Sequence, residues 1–166
     1  MPGAEWLKRS SPAGSAFAAI PQAASSPDAA DLVKAAREDG YFSRPAPGFE
    51  PLTDGPVTTE YRIVPDRDLN GAGLLYFANY PMILDICERE ALSPLIPEDM
   101  LDRRTIVRRR SAYLNNAASH DTLVVETEAW LKRGPETRLF VNARMSRRSD
   151  GRLMIVSTAE KAITPA

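Results

Sequence analysis

Phe77-Ala78-Asn79-Tyr80-Pro81-Met82-Ile83-Leu84-Asp85-Ile86-Cys87-Glu88-Arg89-Glu90-Ala91-Leu92 is the stretch whose reading decides the fold. Tyr80, Ile83, Leu84, Cys87 and Ala91 recur at i, i+3, i+4, i+7 and i+11, so a helix over these residues carries one apolar stripe. Pro81 fits only the first turn, because deeper it would remove a ladder hydrogen bond. The pattern therefore predicts a helix from Phe77 or Ala78 to near Leu92, ended by Pro94. A loop, Ser93 to Arg104, follows with Pro94 and Pro97.

Outward from this helix the period changes to two. Ile106 to Leu114 reads as a strand. Thr122 to Lys132 alternates, with Leu123, Val125, Ala129 and Leu131 on one face and Glu126 and Glu128 on the other. Gly134-Pro135 turns the chain, and Arg138 to Met145 alternates again. Ser149-Asp150-Gly151 is a hairpin signal, and Leu153 to Ile163 closes the set. Upstream, Val57 to Val64 is β-rich and stops at Pro65. One strand, one helix and four strands leave too few helices for a parallel sheet, so the class is α+β with an antiparallel sheet of about five strands.

Residues 1–52 differ in composition, rich in Ala, Pro, Ser and Gly, and bury too little apolar surface to offset chain entropy. They are read as a flexible tail or linker, pinned loosely by Tyr41, Phe42 and Phe49 to the domain at 53–166. Within them Ser26-Pro27-Asp28 is a helix start, for a helix from about Ala29 to Glu38 that stops at Gly40. The opening Met1 to Gln22 lacks the continuous apolar core of a signal peptide. No stretch approaches the ~20 apolar residues of a membrane span, and a net charge of −1 supplies no field for nucleic acid or an anionic membrane. One cysteine (Cys87) and one histidine (His120) argue against a disulfide, a zinc site or any tightly held cofactor. A cytoplasmic protein is the simple expectation.

The stretch Asp68-Leu69-Asn70-Gly71-Ala72-Gly73-Leu74-Leu75-Tyr76-Phe77-Ala78-Asn79-Tyr80 resembles the signature loop of the 4-hydroxybenzoyl-CoA thioesterase group of hot-dog proteins. That signature runs roughly D-x-D-x-x-G-x-x-(aromatic)-(aromatic or His)-x-x-Y. The stretch Arg110 to Asp121 and the Asp150-Gly151 hairpin also fall where the group has a strand, turn and hairpin. The resemblance spans about residues 56–163 and implies a long central helix wrapped by an antiparallel sheet. A narrower likeness, in Asn70 to Tyr80, is to the second half of the leinamycin-type acyltransferase/decarboxylases of polyketide pathways. The resemblance implies a substrate carried on coenzyme A or on the phosphopantetheine of an acyl carrier protein. It also implies a homo-oligomer, or a pairing with another hot-dog domain, whose groove lies between two halves.

One departure bears on chemistry. The signature's second acidic position holds the catalytic carboxylate, and here it is Asn70. An amide can neither attack nor deprotonate water, but it can donate a hydrogen bond to a thioester or enolate oxygen. Asn70 otherwise serves as a cap for backbone N–H groups. Asp68 is either a second catalytic candidate or an Asx-turn residue. Gly71 and Gly73 either admit a ligand close to the backbone or form a tight loop. The resemblance implies that the Phe77 N–H faces the thioester carbonyl, where helix-start amides stabilise negative charge. Tyr76 presents a hydroxyl to the ligand or packs; Asn79 is a further ligand candidate; Tyr80, on the apolar stripe, is read as core before ligand. Among Arg103, Arg104, Arg108, Arg109 and Arg110, most are read as a solvated strand face, with Arg108 and Arg110 allowed a role on phosphates. His120 is read as a turn residue and Cys87 as a buried hydrophobe.

Three functions follow. An acyltransferase/decarboxylase-like enzyme accounts for Asn70 in place of an acid. A thioesterase would need another base, Asp68 or Asp85. A non-catalytic scaffold or dimerisation half needs neither.

Overall fold

The computed structural model describes residues 29–38 and 40–165. The Ser26-Pro27-Asp28 helix start and the reading of Met1 to Gln22 lie outside the described residues. The elements run α1 (Ala29–Glu38), β1 (Glu50–Pro51), β2 (Val57–Arg62), α2 (Pro65–Asp68), α3 (Asn79–Leu92), α4 (Glu98–Asp102), β3 (Arg104–Tyr113), β4 (Thr122–Lys132), β5 (Thr137–Arg147) and β6 (Leu153–Ile163). The sheet is antiparallel in the order β1-β4-β5-β6-β3, with β2 also paired to β4. This is the expected α+β hot-dog arrangement, with α3 lying across the sheet.

The period-two strands turn one face to α3. Tyr80, Ile83, Leu84 and Cys87 pack on Leu123, Val125, Met145 and Ile155. At the other end, Leu92, Ile96 and Leu101 meet Leu131, Leu139, Val141 and Ile163. Each fully buried aliphatic side chain stabilises the fold by roughly 1.5–3 kcal/mol, so the predicted stripe secures the helix. The predicted loop after α3 contains the short α4, which carries Leu101 into this second cluster.

Strand β3 has a bulge. Its register against β6 shifts between Ile106 and Arg108, so Ile106 pairs with Lys161 but Arg109 pairs with Ala159. The extra residue moves Arg109 to the α3 side and leaves Arg108 and Arg110 on the outer face.

The outer face is covered by part of the segment read as tail. Helix α1 forms where expected and ends before Gly40, whose φ is +75°. A Cβ at Gly40 would come within 3.2 Å of the Arg144 guanidinium, so glycine serves both the turn and the close approach. Ala36 packs on Ala112 and Val156, with Val33 and Phe42 beside them. The Asn142 side-chain amide donates to the Ser43 carbonyl at 3.3 Å. Phe49 stands edge-on to Phe140 at 6.0 Å, and β1 pairs with Leu131 and Trp130. No helix of the described residues is long and apolar enough to cross a membrane.

Candidate functional site

The loop before α3 is built around Asp68. Its Oδ2 accepts hydrogen bonds from the Val64 N–H (2.8 Å) and the Tyr61 hydroxyl (2.9 Å), and its Oδ1 accepts from Arg67 Nε (2.9 Å). Burial alone would raise this carboxyl; the Arg67, Val64 and Tyr61 hydrogen bonds outweigh it and hold the group below its usual range. Burial and the Asp68 hydrogen bond push the Tyr61 phenol up. Asp68 is 0% exposed, with both oxygens spent on its own chain. Of the two sequence readings, the turn-anchoring one describes this geometry, because the carboxylate is fully buried and both its oxygens are hydrogen-bonded within the chain.

Asn70 is exposed, and its Oδ1 accepts from the N–H groups of Ala72 (2.9 Å) and Leu74 (3.1 Å). Its side-chain NH₂ has no acceptor among the described residues. Gly73 takes φ +72°, which the turn requires, while a Cβ at Gly71 or Gly73 would meet nothing within 4 Å. Bridges Leu69–Leu75 and Leu74–Ala118 tie the loop to itself and to the turn after β3. Asn79, a ligand candidate from sequence, instead donates from Nδ2 to the carbonyls of Arg67 and Asp68, each at 3.2 Å. Tyr80 is 2% exposed and donates to Asn116 Oδ1 at 3.0 Å, so it is core. Tyr76 and Phe77 are exposed, their rings edge-to-face at 5.0 Å. The N–H groups of Phe77 and Ala78 have no acceptor among the described residues. They precede α3, where the helix dipole favours negative charge.

Arg108 and Arg110 do not join this loop. They project from the other face of the sheet, Arg108 lying 3.6 Å from Glu160. His120 is exposed in the turn before β4.

Two turns along α3 lies a cluster that the sequence reading touched through Asp85, as an alternative base, and through Arg104 and Arg109, read with their neighbours as a solvated face; the structure instead turns both arginines inward onto carboxylates of α3. Lys161 Nζ donates to Asp85 Oδ1 and Glu88 Oε2, both at 2.7 Å. Arg109 also donates to Asp85 Oδ1, and Arg104 to Glu88 Oε1. The side chains of Lys161 and Glu88 are each 4% exposed; Asp85 is 35% exposed. Asp85 Oδ2 has no partner among the described residues. Burial alone would raise the Asp85 carboxyl, but the Arg109 hydrogen bond and the Lys161 charge hold it below its usual range. A signal for this cluster existed: Lys161 alternates with Ile163 and Ala159, a charge at an inward strand position. Met82 and Ile86 on the same flank of α3, and Ile106 and Val107 on β3, are exposed. A cleft of about 500 Å³ lined by Phe49, Lys132, Arg138 and Glu160 lies on the outer face and gathers none of these groups.

The chain shares its fold with solved thioesterases. A hypothetical thioesterase from Streptococcus pneumoniae, solved with coenzyme A, aligns over 70% of this chain and 85% of its own (TM-score 0.53, 17% identity). A 1,4-dihydroxy-2-naphthoyl-CoA thioesterase from Synechocystis aligns over 67% and 85% (0.55, 18%). A probable thioesterase from Bartonella henselae aligns over 67% and 91% (0.56, 15%). No protein-family model and no curated protein matches.

Proposed function

We propose that this chain is an acyl-thioester hydrolase whose working carboxylate is Asp85 and whose oxyanion donors are the N–H groups of Phe77 and Ala78. The observation that carries the reading is one ionised, half-exposed carboxylate with an unpartnered oxygen among the described residues, on the helix whose start offers two unpaired amides. At 1.5 Å per residue, Asp85 lies about 12 Å along the helix from Phe77, too far to serve one carbonyl within a single chain. The site is therefore completed by a second copy, paired through the open edge of β3 and the exposed flank at Met82 and Ile86. Antiparallel α3 helices then set the Asp85 of one copy against the Phe77 of the other.

In this arrangement the thioester oxygen accepts from Phe77 and Ala78. The Asp85 carboxylate takes a proton from the attacking water, the C–S bond breaks, and the thiolate leaves and is protonated. Tyr76, Phe77 and the Asn70 NH₂ border the acyl group. The carrier is coenzyme A, as in the solved neighbours' names, or a carrier-protein phosphopantetheine. Asn70 supports a second reading, transfer or decarboxylation, because its free NH₂ can donate to an enolate oxygen without acting as a base. Incubation with acyl-CoA and malonyl-type CoA panels, read by mass spectrometry, decides. Free acid with free coenzyme A is expected; loss of carbon dioxide supports the second reading, and no change supports a scaffold.

A further inference from the structure

We propose that Lys161 is a positioning residue for Asp85: its buried ammonium clamps one carboxylate oxygen so that the other is left unpaired on the half-exposed flank of α3, and Glu88 holds the ammonium in place. The inference rests on the reading of Asp85 as the working carboxylate. It begins from cost. A buried ammonium destabilises a fold unless paired and hydrogen-bonded, and the two inward positions of β6 that flank Lys161 are the apolar Ala159 and Ile163. A methylene-rich apolar residue at position 161 would fill the same space without that cost.

The geometry shows what the lysine does instead. Asp85 and Glu88 stand at i and i+3 on α3, and Nζ bridges them at 2.7 Å on each side. Arg104 takes the remaining oxygen of Glu88, so that carboxylate is closed. Arg109 converges with Lys161 on a single oxygen of Asp85. Of the four carboxylate oxygens, Asp85 Oδ2 alone lacks a protein partner among the described residues, and its residue alone is substantially exposed. An arrangement serving stability alone would close all four.

The charged groups facing Asp85 are Lys161 from β6, Arg109 and Arg104 from β3, and Glu88 from its own helix. Arg89 is turned away onto Asp102. The facing side of β4 and β5 carries Leu123, Val125, Thr127, Ala129, Leu131, Leu139, Val141, Ala143 and Met145, none of them charged. Lys161 is therefore the one buried cation that couples both carboxylates. Its charge on Asp85 is tempered by Glu88.

The test compares Lys161→Met, Glu88→Gln and Lys161→Arg in the full chain. Carboxyl-¹³C aspartate labelling reads the Asp85 titration, assigned by the resonance that Asp85→Asn removes; kcat/KM against pH is measured on the best acyl-CoA substrate. Lys161→Met should move the Asp85 titration and the acid limb upward by about one pH unit, a roughly tenfold loss of ionised carboxylate below both values. Glu88→Gln should leave them in place or move them down, and Lys161→Arg should stay with the parent. Should Lys161→Met not fold, Lys161→Met with Glu88→Gln removes both members of the pair and carries a smaller upward expectation, because loss of the Glu88 charge offsets part of the loss of the ammonium. An unmoved titration in the folded variant overturns the proposal. If Asp85→Asn keeps full turnover, the hydrolase reading fails, while the titration still decides whether Lys161 governs Asp85.

Discussion

Asp68 and Asp85 stand on either side of the start of α3, and both carboxylates are held ionised by an arginine. They differ in what remains free. At Asp68 every oxygen is spent on closing a corner between β2 and the loop. At Asp85 two cations share one oxygen and the other is open. A depressed carboxyl is thus no mark of chemistry by itself; an unspent oxygen on a fixed, ionised group is the informative feature.

The largest expected effect separates the two. Asp85→Asn should lower kcat by about 10²–10⁴, the usual contribution of a positioned base, with near-ultraviolet circular dichroism retaining a packed core. Asp68→Asn should do the reverse. It turns an NH₂ group toward donors and should cost roughly 2–3 kcal/mol in a urea titration, with turnover per folded molecule retained. Loss of turnover without loss of stability in Asp68→Asn would break the comparison.

The same contrast has a pH signature. The folded Asp68 carboxyl lies below its unfolded value, so its contribution is present above the unfolded pKa of about 3.9 and is lost as pH falls through the folded value. The urea midpoint should fall as pH drops below about 4, and Asp68→Asn should remove part of that slope. Equal slopes in the two proteins would show that other carboxyls govern acid unfolding.

A smaller effect concerns the two faces of the sheet. A chain beginning at residue 53 should be less stable than one beginning at residue 29 by about 2 kcal/mol, because Ala112, Val156 and Phe140 lose their cover. Equal denaturation midpoints would restore the tail reading up to residue 52. The smallest effect is at Asn70. Asn70→Ala should cost about 1 kcal/mol, as loss of a cap does, while Asn70→Asp keeps both acceptor bonds and should match the parent. A fall in kcat for both variants, beyond that loss, would give the NH₂ group a direct role.

The strands and α3 were legible because each carries its own period. Leu123 to Leu131 alternates, Tyr80 to Ala91 repeats at helical spacing, and Gly40 and Gly151 mark their turns. The cluster was legible only as a charge, Lys161, at an inward strand position, because its partners are far apart in sequence: Lys161 meets Asp85 across 76 residues and Glu88 across 73. The outer-face cover was legible in part: Phe42 and Phe49, loose pins by sequence, do meet the sheet, while Ala36 gave no signal by composition and is buried because the sheet offers Ala112 and Val156 beneath it. In the signature loop the sequence reading offered Asp68, Asn70 and Tyr76 as catalytic candidates and Gly71, Gly73, Phe77, Asn79 and Tyr80 as ligand contacts. It could not tell which polar atoms the loop itself would consume.

The bulge in β3 acts as a frame setter. Three consecutive arginines are chemically interchangeable as text, and the one inserted residue decides which of them reads the helix and which read the opposite face. Were Val107 to take a regular ladder position opposite Glu160, the downstream frame would shift by one, bringing Arg108 and Arg110 to the helix side and sending Arg109, Ser111 and Tyr113 outward. A one-residue slip of the ladder would thus rewrite the charge pattern of two surfaces at once without changing the identity of any residue, and the bulge at Val107 is what prevents it.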